Sequence, residues 1–262
     1  MMLDTTENAR PTGGGARLLP LFVCLALVLC FPHFSAAREK LRVGVAANYI
    51  AAFQEISAAF TKETGVDVDA TFASSGTLYA QITSGAPYDV FLSADEERPN
   101  KLFGSDLAEK PFRYAHGRCV LWSAKKEFCR AKDWRAALAA EGVKRIALAN
   151  PETAPYGAAA RQALQQAGLW ESLKKKCVIA QDIAQAFQYA ATGAVDGSFC
   201  ALSATVTNEG AKGCFFTVAE APEIVQTGCI LKRTDNRPAA ERFAVFLLSP
   251  QAEAIKSHFG YK

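Results

Sequence analysis

Residues 41–92 read LRVGVAANYIAAFQEISAAFTKETGVDVDATFASSGTLYAQITSGAPYDVFL. Leu41–Ala46 is a nearly unbroken apolar run and predicts a buried strand. Ile50, Phe53, Ile56 and Phe60 then recur at helical spacing, and Gly65 supplies a stop. Val66–Phe72 alternates apolar and polar residues, as a strand does. Ser74-Ser75-Gly76 opens a helix over 77–84, Gly85-Ala86-Pro87 makes a turn, and Tyr88–Leu92 is a third strand. Strand, helix, strand, helix, strand in this order predicts a parallel sheet with helices on both faces.

A second set of the same kind begins near Gly117. Strands are predicted at 118–122, 145–149, 177–179, 197–200 and 214–218, with helices at 134–140, 156–167 and 183–192 between them. A further strand at 228–231 precedes helices at 239–248 and 251–258. Two β/α sets in a chain of this length predict an α/β protein of two lobes. The final helices have no sheet of their own and are expected to return to the first lobe. Two crossings, near 114–118 and 226–232, would form a hinge with a ligand cleft between the lobes. The expected division is 38–116 plus 231–262 for lobe one and 117–230 for lobe two.

The chain has 262 residues, half of them hydrophobic and 21% charged, which excludes a disordered chain. Its 29 basic and 26 acidic residues leave a formal charge of +3, too balanced for a nucleic-acid footprint. Arg10 and Arg17 precede an apolar run, Leu18–Phe34, followed by Ser35, Ala36 and Ala37. That is the pattern of a secretory leader over residues 1–37, cut near Ala37, with Pro20 and Pro32 arguing against a permanent span. The mature chain is then expected to be exported and monomeric.

Beyond the leader six cysteines remain: Cys119, Cys129, Cys177, Cys200, Cys214 and Cys229. An even number in an exported chain suggests disulfides. The sequence leaves the pairing open; Cys119 with Cys229 is favoured, because both fall in strands next to the expected crossings. Metal binding is disfavoured, since no C-x-x-C occurs and the mature histidines are only His116 and His258.

Four strand-to-helix turns stand out: Ala46-Ala47-Asn48, Ala73-Ser74-Ser75-Gly76, Ala154-Pro155-Tyr156-Gly157 and Ala180-Gln181-Asp182-Ile183. In open α/β sheets ligands bind beyond the carboxyl ends of the strands. Small residues let backbone approach a ligand, and free N–H groups at helix starts favour an anion. Asn48, Ser75 and Tyr156 add neutral side-chain donors. A Ser or Asn at such a place is most often only a helix cap. Four donor-rich turns spread over two lobes are less easily explained that way. A fully ionised tetrahedral dianion needs donors only, and the turns hold one acid, Asp182, itself at a capping position.

At these residues the chain resembles the periplasmic molybdate-binding proteins, soluble receptors of molybdate ABC transporters. The matches are Val45-Ala-Ala-Asn48, Phe72-Ala-Ser-Ser-Gly-Thr-Leu78, Gly85-Ala-Pro-Tyr-Asp-Val-Phe-Leu-Ser-Ala-Asp95, Ala149-Asn-Pro151, Ala154-Pro-Tyr-Gly-Ala158 and Gly260-Tyr261. They cover essentially all of 41–262 in order. The resemblance implies a type II periplasmic-binding-protein fold, each lobe a mostly parallel sheet flanked by helices. It implies a molybdate or tungstate ion held between the lobes by Asn48 with backbone help from Ala47, by Ser75 with Ser74, by Tyr156, and by the backbone of Ile183. It also implies a membrane permease as partner, no further cofactor and no catalysis. Better-known members carry Ser where Asn48 stands, and many carry Tyr in the region of Phe199-Cys200-Ala201, so Cys200 is left out of the site.

The same fold or cleft suits a receptor for sulfate, phosphate or ferric ion, a ligand-sensing module, or a hydrolase; the last lacks a G-x-S-x-G motif and a histidine partner for Ser75.

Overall fold

The computed structural model describes residues 40–262. The leader read over 1–37, with Arg10, Arg17, Cys24 and Cys30, lies outside the described residues. Among the described residues no helix is long and apolar enough to cross a membrane.

The first lobe begins with β1 (Lys40–Ala46), a 3-10 turn at Ala47–Tyr49, α1 (Ile50–Thr64), β2 (Asp67–Ala73), α2 (Ser75–Thr83), β3 (Val90–Ser93), α3 (Glu97–Gly104) and β4 (Phe112–Gly117). The chain then builds β5 (Cys119–Ser123), α4 (Trp134–Ala139), β6 (Ile146–Ala149), α5 (Pro155–Gln166), α6 (Trp170–Leu173), β7 (Cys177–Ala180), α7 (Ile183–Ala191), β8 (Gly197–Ala201), α8 (Leu202–Thr205) and β9 (Cys214–Thr217). It returns through β10 (Ile224–Ile230), α9 (Arg237–Leu247) and α10 (Pro250–His258).

The strands form two five-stranded sheets, β2-β1-β3-β10-β4 and β7-β6-β8-β5-β9. Each sheet repeats one plan. Three parallel strands carry the β/α units, and the fourth position is filled by a strand that arrives straight from the other lobe and runs antiparallel. β5 enters the second sheet directly after β4, across Arg118, and β10 enters the first after β9, across 218–223.

This corrects the expected boundaries. Residues 224–230 belong to the first sheet, not the second lobe, and the second crossing lies at 218–223 rather than 226–232. Gln226 and Thr227 interrupt the apolar run of β10, so only its end reads as strand. The register shifts between Gln226 and Thr227, and both side chains are buried, with Gln226 Oε1 accepting from Asn48 and Tyr114.

The first sheet is covered on both faces. On one, Phe53, Ile56 and Phe60 of α1 pack with Phe243, Phe246 and Ala252 of the last two helices against Leu41, Val43 and Val45. On the other, Leu78 and Ile82 of α2 and Leu102 of α3 pack on Phe91 and Cys229. This double cover is why β1 reads as an unbroken apolar run. Burial of each such side chain contributes about 1.5–3 kcal/mol. Gly65 ends α1 at φ +74°, the left-handed cap expected of it. The second lobe has its own core around Trp122, Leu148, Phe199 and Leu164.

The disulfide joins Cys129 to Cys214, with Cα atoms 5.7 Å apart, and not Cys119 to Cys229. Cys119 sits in the second sheet and Cys229 in the first, because β10 changes lobes. Cys119, Cys177, Cys200 and Cys229 are free thiols. The bridge lies wholly within the second lobe, tying the 3-10 turn at Phe128–Arg130 to β9.

Candidate functional site

All four polar turns meet at one narrow cavity between the lobes. It is lined by Ala47, Asn48, Ser74 and Ser75 from the first lobe and by Tyr156 and Ile183 from the second. Each stands at or beside a helix start: Ala47 opens the 3-10 turn before α1, Ser75 opens α2, Tyr156 follows Pro155 in the first turn of α5, and Ile183 opens α7. First-turn N–H groups have no partner within their own helix, and the aligned peptide dipoles add partial positive charge there. The fold thus aims four donor ends, two from each lobe, at a common point.

The side chains divide the work. Ser75 is 1% exposed, and its Oγ accepts from the backbone N–H of Ala94 at 2.9 Å, which fixes the oxygen and leaves its proton to be donated. Ser74 is the N-cap of α2: its oxygen accepts from Thr77 N–H at 3.2 Å and pairs with Thr77 Oγ1 at 2.8 Å. Its capping role is therefore filled, and as a direct side-chain donor it is the weaker of the two serines. Asn48 differs from the expectation of a free donor. Its Nδ2 donates to Gln226 Oε1 at 2.8 Å and to Tyr261 Oη at 3.2 Å, so both amide hydrogens are engaged inside the first lobe. Tyr156 is 1% exposed and its hydroxyl is buried without a hydrogen-bond partner. Such an orphaned donor is costly in a folded chain unless something else accepts from it. Burial pushes the Tyr156 phenol well above its ordinary value, with smaller contributions from Tyr261, Cys119, Tyr114 and Cys200, so it remains a protonated donor at neutral pH.

Charge is arranged as the donor-only reading requires. Among the described residues lining this cavity, no lysine, arginine or histidine occurs. Asp182, the single acid, caps α7 by accepting from Gln185 N–H at 2.9 Å. Arg161 pairs with Glu152 at 2.6 Å, and Arg98 pairs with Asp95, away from the cavity lining. An anion here would be held by neutral donors and helix dipoles, a set that matches a fully ionised oxyanion. His116 faces Glu223 at 3.2 Å and His258 packs on Phe259, so neither provides a base for Ser75. Among the described residues no group of three or more His, Cys, Asp or Glu could hold a metal ion. Cys200 is fully buried and does not line the cavity.

Behind the cavity lies a polar network that the turns alone did not reveal. The Asn48 carbonyl accepts from Tyr261 Oη at 2.7 Å and from Ser203 Oγ of the second lobe at 2.9 Å. Tyr114 Oη reaches Gln226 Oε1 at 3.0 Å. Along the chain this network shows as Asn48 and Tyr261, within the quoted motifs, and as Gln226, a polar residue next to Val225 in a strand. Ala94 lies within the quoted run 85–95 without being singled out there, and Ser203 and Tyr114 carry no signal, because nothing local distinguishes them.

Comparison with known proteins agrees with this geometry. Residues 41–262 match the family model of bacterial extracellular solute-binding proteins. The chain is 38% identical over 258 residues to the molybdate-binding protein ModA of Rhodobacter capsulatus, covering 98% of each. It is 39% identical to ModA of Azotobacter vinelandii, over 87% of this chain and 91% of that one. The solved structure of the Azotobacter vinelandii periplasmic molybdate-binding protein superposes with a TM-score of 0.80 at 37% identity, covering 85% of this chain and 98% of that one. A sulfate-binding protein from Mycobacterium tuberculosis, at 15% identity and a TM-score of 0.72, shares the fold alone. The chain therefore belongs to the bacterial extracellular solute-binding proteins, in the group of the ModA molybdate-binding proteins.

Proposed function

We propose that this protein is an exported receptor that binds molybdate, and also tungstate, between its two lobes and delivers it to the permease of an ABC importer. The observation that carries the reading is the convergence of four helix starts, two from each lobe, on a cavity without basic side chains, with the Tyr156 hydroxyl buried and unpartnered. In this reading the backbone N–H groups of Ala47, Asn48 and Ile183 and the hydroxyls of Ser75 and Tyr156 hold the four oxygens, with Ser74 shaping the turn. The protein binds its ligand unchanged and works as a periplasmic monomer, its leader removed near Ala37. Similarity to ModA proteins over nearly the full chain supports the substrate.

The deciding experiment is competitive calorimetry of the purified mature protein against a panel of oxyanions. Molybdate and tungstate are expected to bind at one site, with sulfate and phosphate far weaker, because a cage sized for the larger ion leaves smaller oxygens beyond good hydrogen-bond length. Equal binding of phosphate would reject the reading.

A further inference from the structure

Gln226 lies in the middle of β10 and is 0% exposed. A buried amide has two acceptor sites and two N–H donors to satisfy. Its Oε1 accepts from Asn48 Nδ2 at 2.8 Å and from Tyr114 Oη at 3.0 Å, both within the first lobe. Its Nε2 is buried without a partner. The Tyr156 hydroxyl, from the second lobe, is another orphaned group, as are Tyr49 Oη and Thr227 Oγ1 in the first lobe. Gln226 Nε2 and Tyr156 Oη flank Gly117, the last residue of β4 before the first crossing. A Cβ on Gly117 would sit 2.1 Å from Tyr156 Oη and 2.8 Å from Gln226 Nε2. Those distances place the two atoms at most about 5 Å apart, a gap that a small side-chain rotation closes to hydrogen-bond length.

We propose that Gln226 is a positioning residue for anion binding: its Nε2 donates to Tyr156 Oη and so commits the Tyr156 proton to the ligand. The inference rests on reading the cleft as an oxyanion site. With two donors on Oε1, the amide orientation is set and the N–H end faces Tyr156. A hydroxyl that accepts from Nε2 keeps one hydrogen and has no protein acceptor for it, so that hydrogen turns to a ligand oxygen. An acceptor in the place of Nε2 would draw the hydrogen away instead. Because the opposite end of the same amide holds Asn48, one side chain also links a cavity residue of one lobe to the phenol of the other. Gly117 is required because any side chain there would fill the space the two groups share.

The test is Gln226→Glu, which keeps the Oε1 acceptor for Asn48 and Tyr114 and changes only the end facing Tyr156. Molybdate affinity is measured by calorimetry from about pH 8 down to about pH 6, since burial raises the substituted carboxyl into or toward that range. Wild type is expected to bind with little change over the range. The variant is expected to bind about a hundredfold more weakly at the alkaline end and to recover as its carboxyl protonates and can donate. Wild-type affinity in the variant throughout, or a loss that is the same at every pH in a protein that melts normally, would overturn the proposal. If the variant does not fold, selectively 15N-glutamine-labelled wild type and Tyr156→Phe decide. The Gln226 side-chain amide resonances are expected to move both on loss of the phenol oxygen and on molybdate addition, and resonances unmoved by either overturn the proposal. Failure of wild type to bind molybdate would instead reject the underlying reading of the cleft.

Discussion

The backbone N–H of Gly76, at the start of α2 in the first lobe, donates to the carbonyl of Thr153 in the second lobe at 2.8 Å. A Cβ on Gly76 would stand 2.8 Å from that oxygen and 2.9 Å from the Thr153 Cα, closer than side-chain carbons approach backbone. The contact sits beside Ser75 and two residues before Pro155, so it joins the two lobes at the edge of the site.

Gly76→Ala should therefore hold the lobes apart without harming either core. Molybdate affinity is expected to fall more than about tenfold, because only the closed form presents all four donor ends and its population is reduced. Small-angle scattering with and without ligand checks this: wild type should compact on binding, and the variant should compact less.

Tyr156→Phe removes only the orphaned hydroxyl. Deleting a donor to a charged acceptor typically lowers affinity by about 1.5–3 kcal/mol, roughly ten- to a hundredfold. Thermal unfolding of the ligand-free protein should fall only slightly, since the one donor proposed to reach the hydroxyl is Gln226 Nε2. Calorimetry showing normal binding would return Tyr156 to the role of a packed aromatic.

Replacing Cys129 and Cys214 by serine should lower stability by about 2–5 kcal/mol and change molybdate affinity little, since the bridge lies in one lobe and away from the cavity. Peptide mapping without reduction should find Cys129 joined to Cys214. In the native mature protein Cys177, the half-buried free thiol, should react first with a thiol reagent, and Cys119, Cys200 and Cys229 only on unfolding. Burial pushes Cys177 up to about 11 and Cys119 and Cys229 up to about 12, which slows all of them further.

Alkali should unfold the protein cooperatively. Burial raises the phenols of Tyr49, Tyr114 and Tyr156 well above their ordinary value of about 10, and that of Tyr261 to about 12. The folded chain holds these protons more tightly than the unfolded chain does. Their contribution is thus complete below about pH 10 and is lost as pH rises above it. A denaturant midpoint that is flat from neutral pH to about pH 9 and drops steeply beyond pH 10 is the expected outcome; a drop that begins near neutrality would contradict it.

Much of this molecule could be read along the chain. The β/α units, the Gly65 stop, the caps at Ser74 and Asp182 and the four polar turns depend on residues a few positions apart, and hydrophobic period and capping act at that range. Asn48, Ser75 and Tyr156 follow from the turns, because strand ends of open sheets gather turns of this kind, and Ala47, Ser74 and Ile183 from the resemblance to the molybdate-binding family. β4 carries no strand signal, since Phe112–Gly117 mixes Arg113, Tyr114 and His116 among its apolar residues and has no clean alternation.

What the fold alone decided are relations between distant segments. β10 joined the first sheet because its pairing with β3 and β4 outweighs its nearness in sequence to β9, and that moved Cys229 out of reach of Cys119 and left Cys129 to meet Cys214, 85 residues away. Asn48 turned its amide to Gln226, 178 residues on, so the side chain that reads as a free donor is instead part of a buried network. Local sequence sets where a donor stands, because backbone conformation is a short-range property. Which acceptor it meets is set by packing, where a buried polar group takes whatever partner the assembled core brings to it.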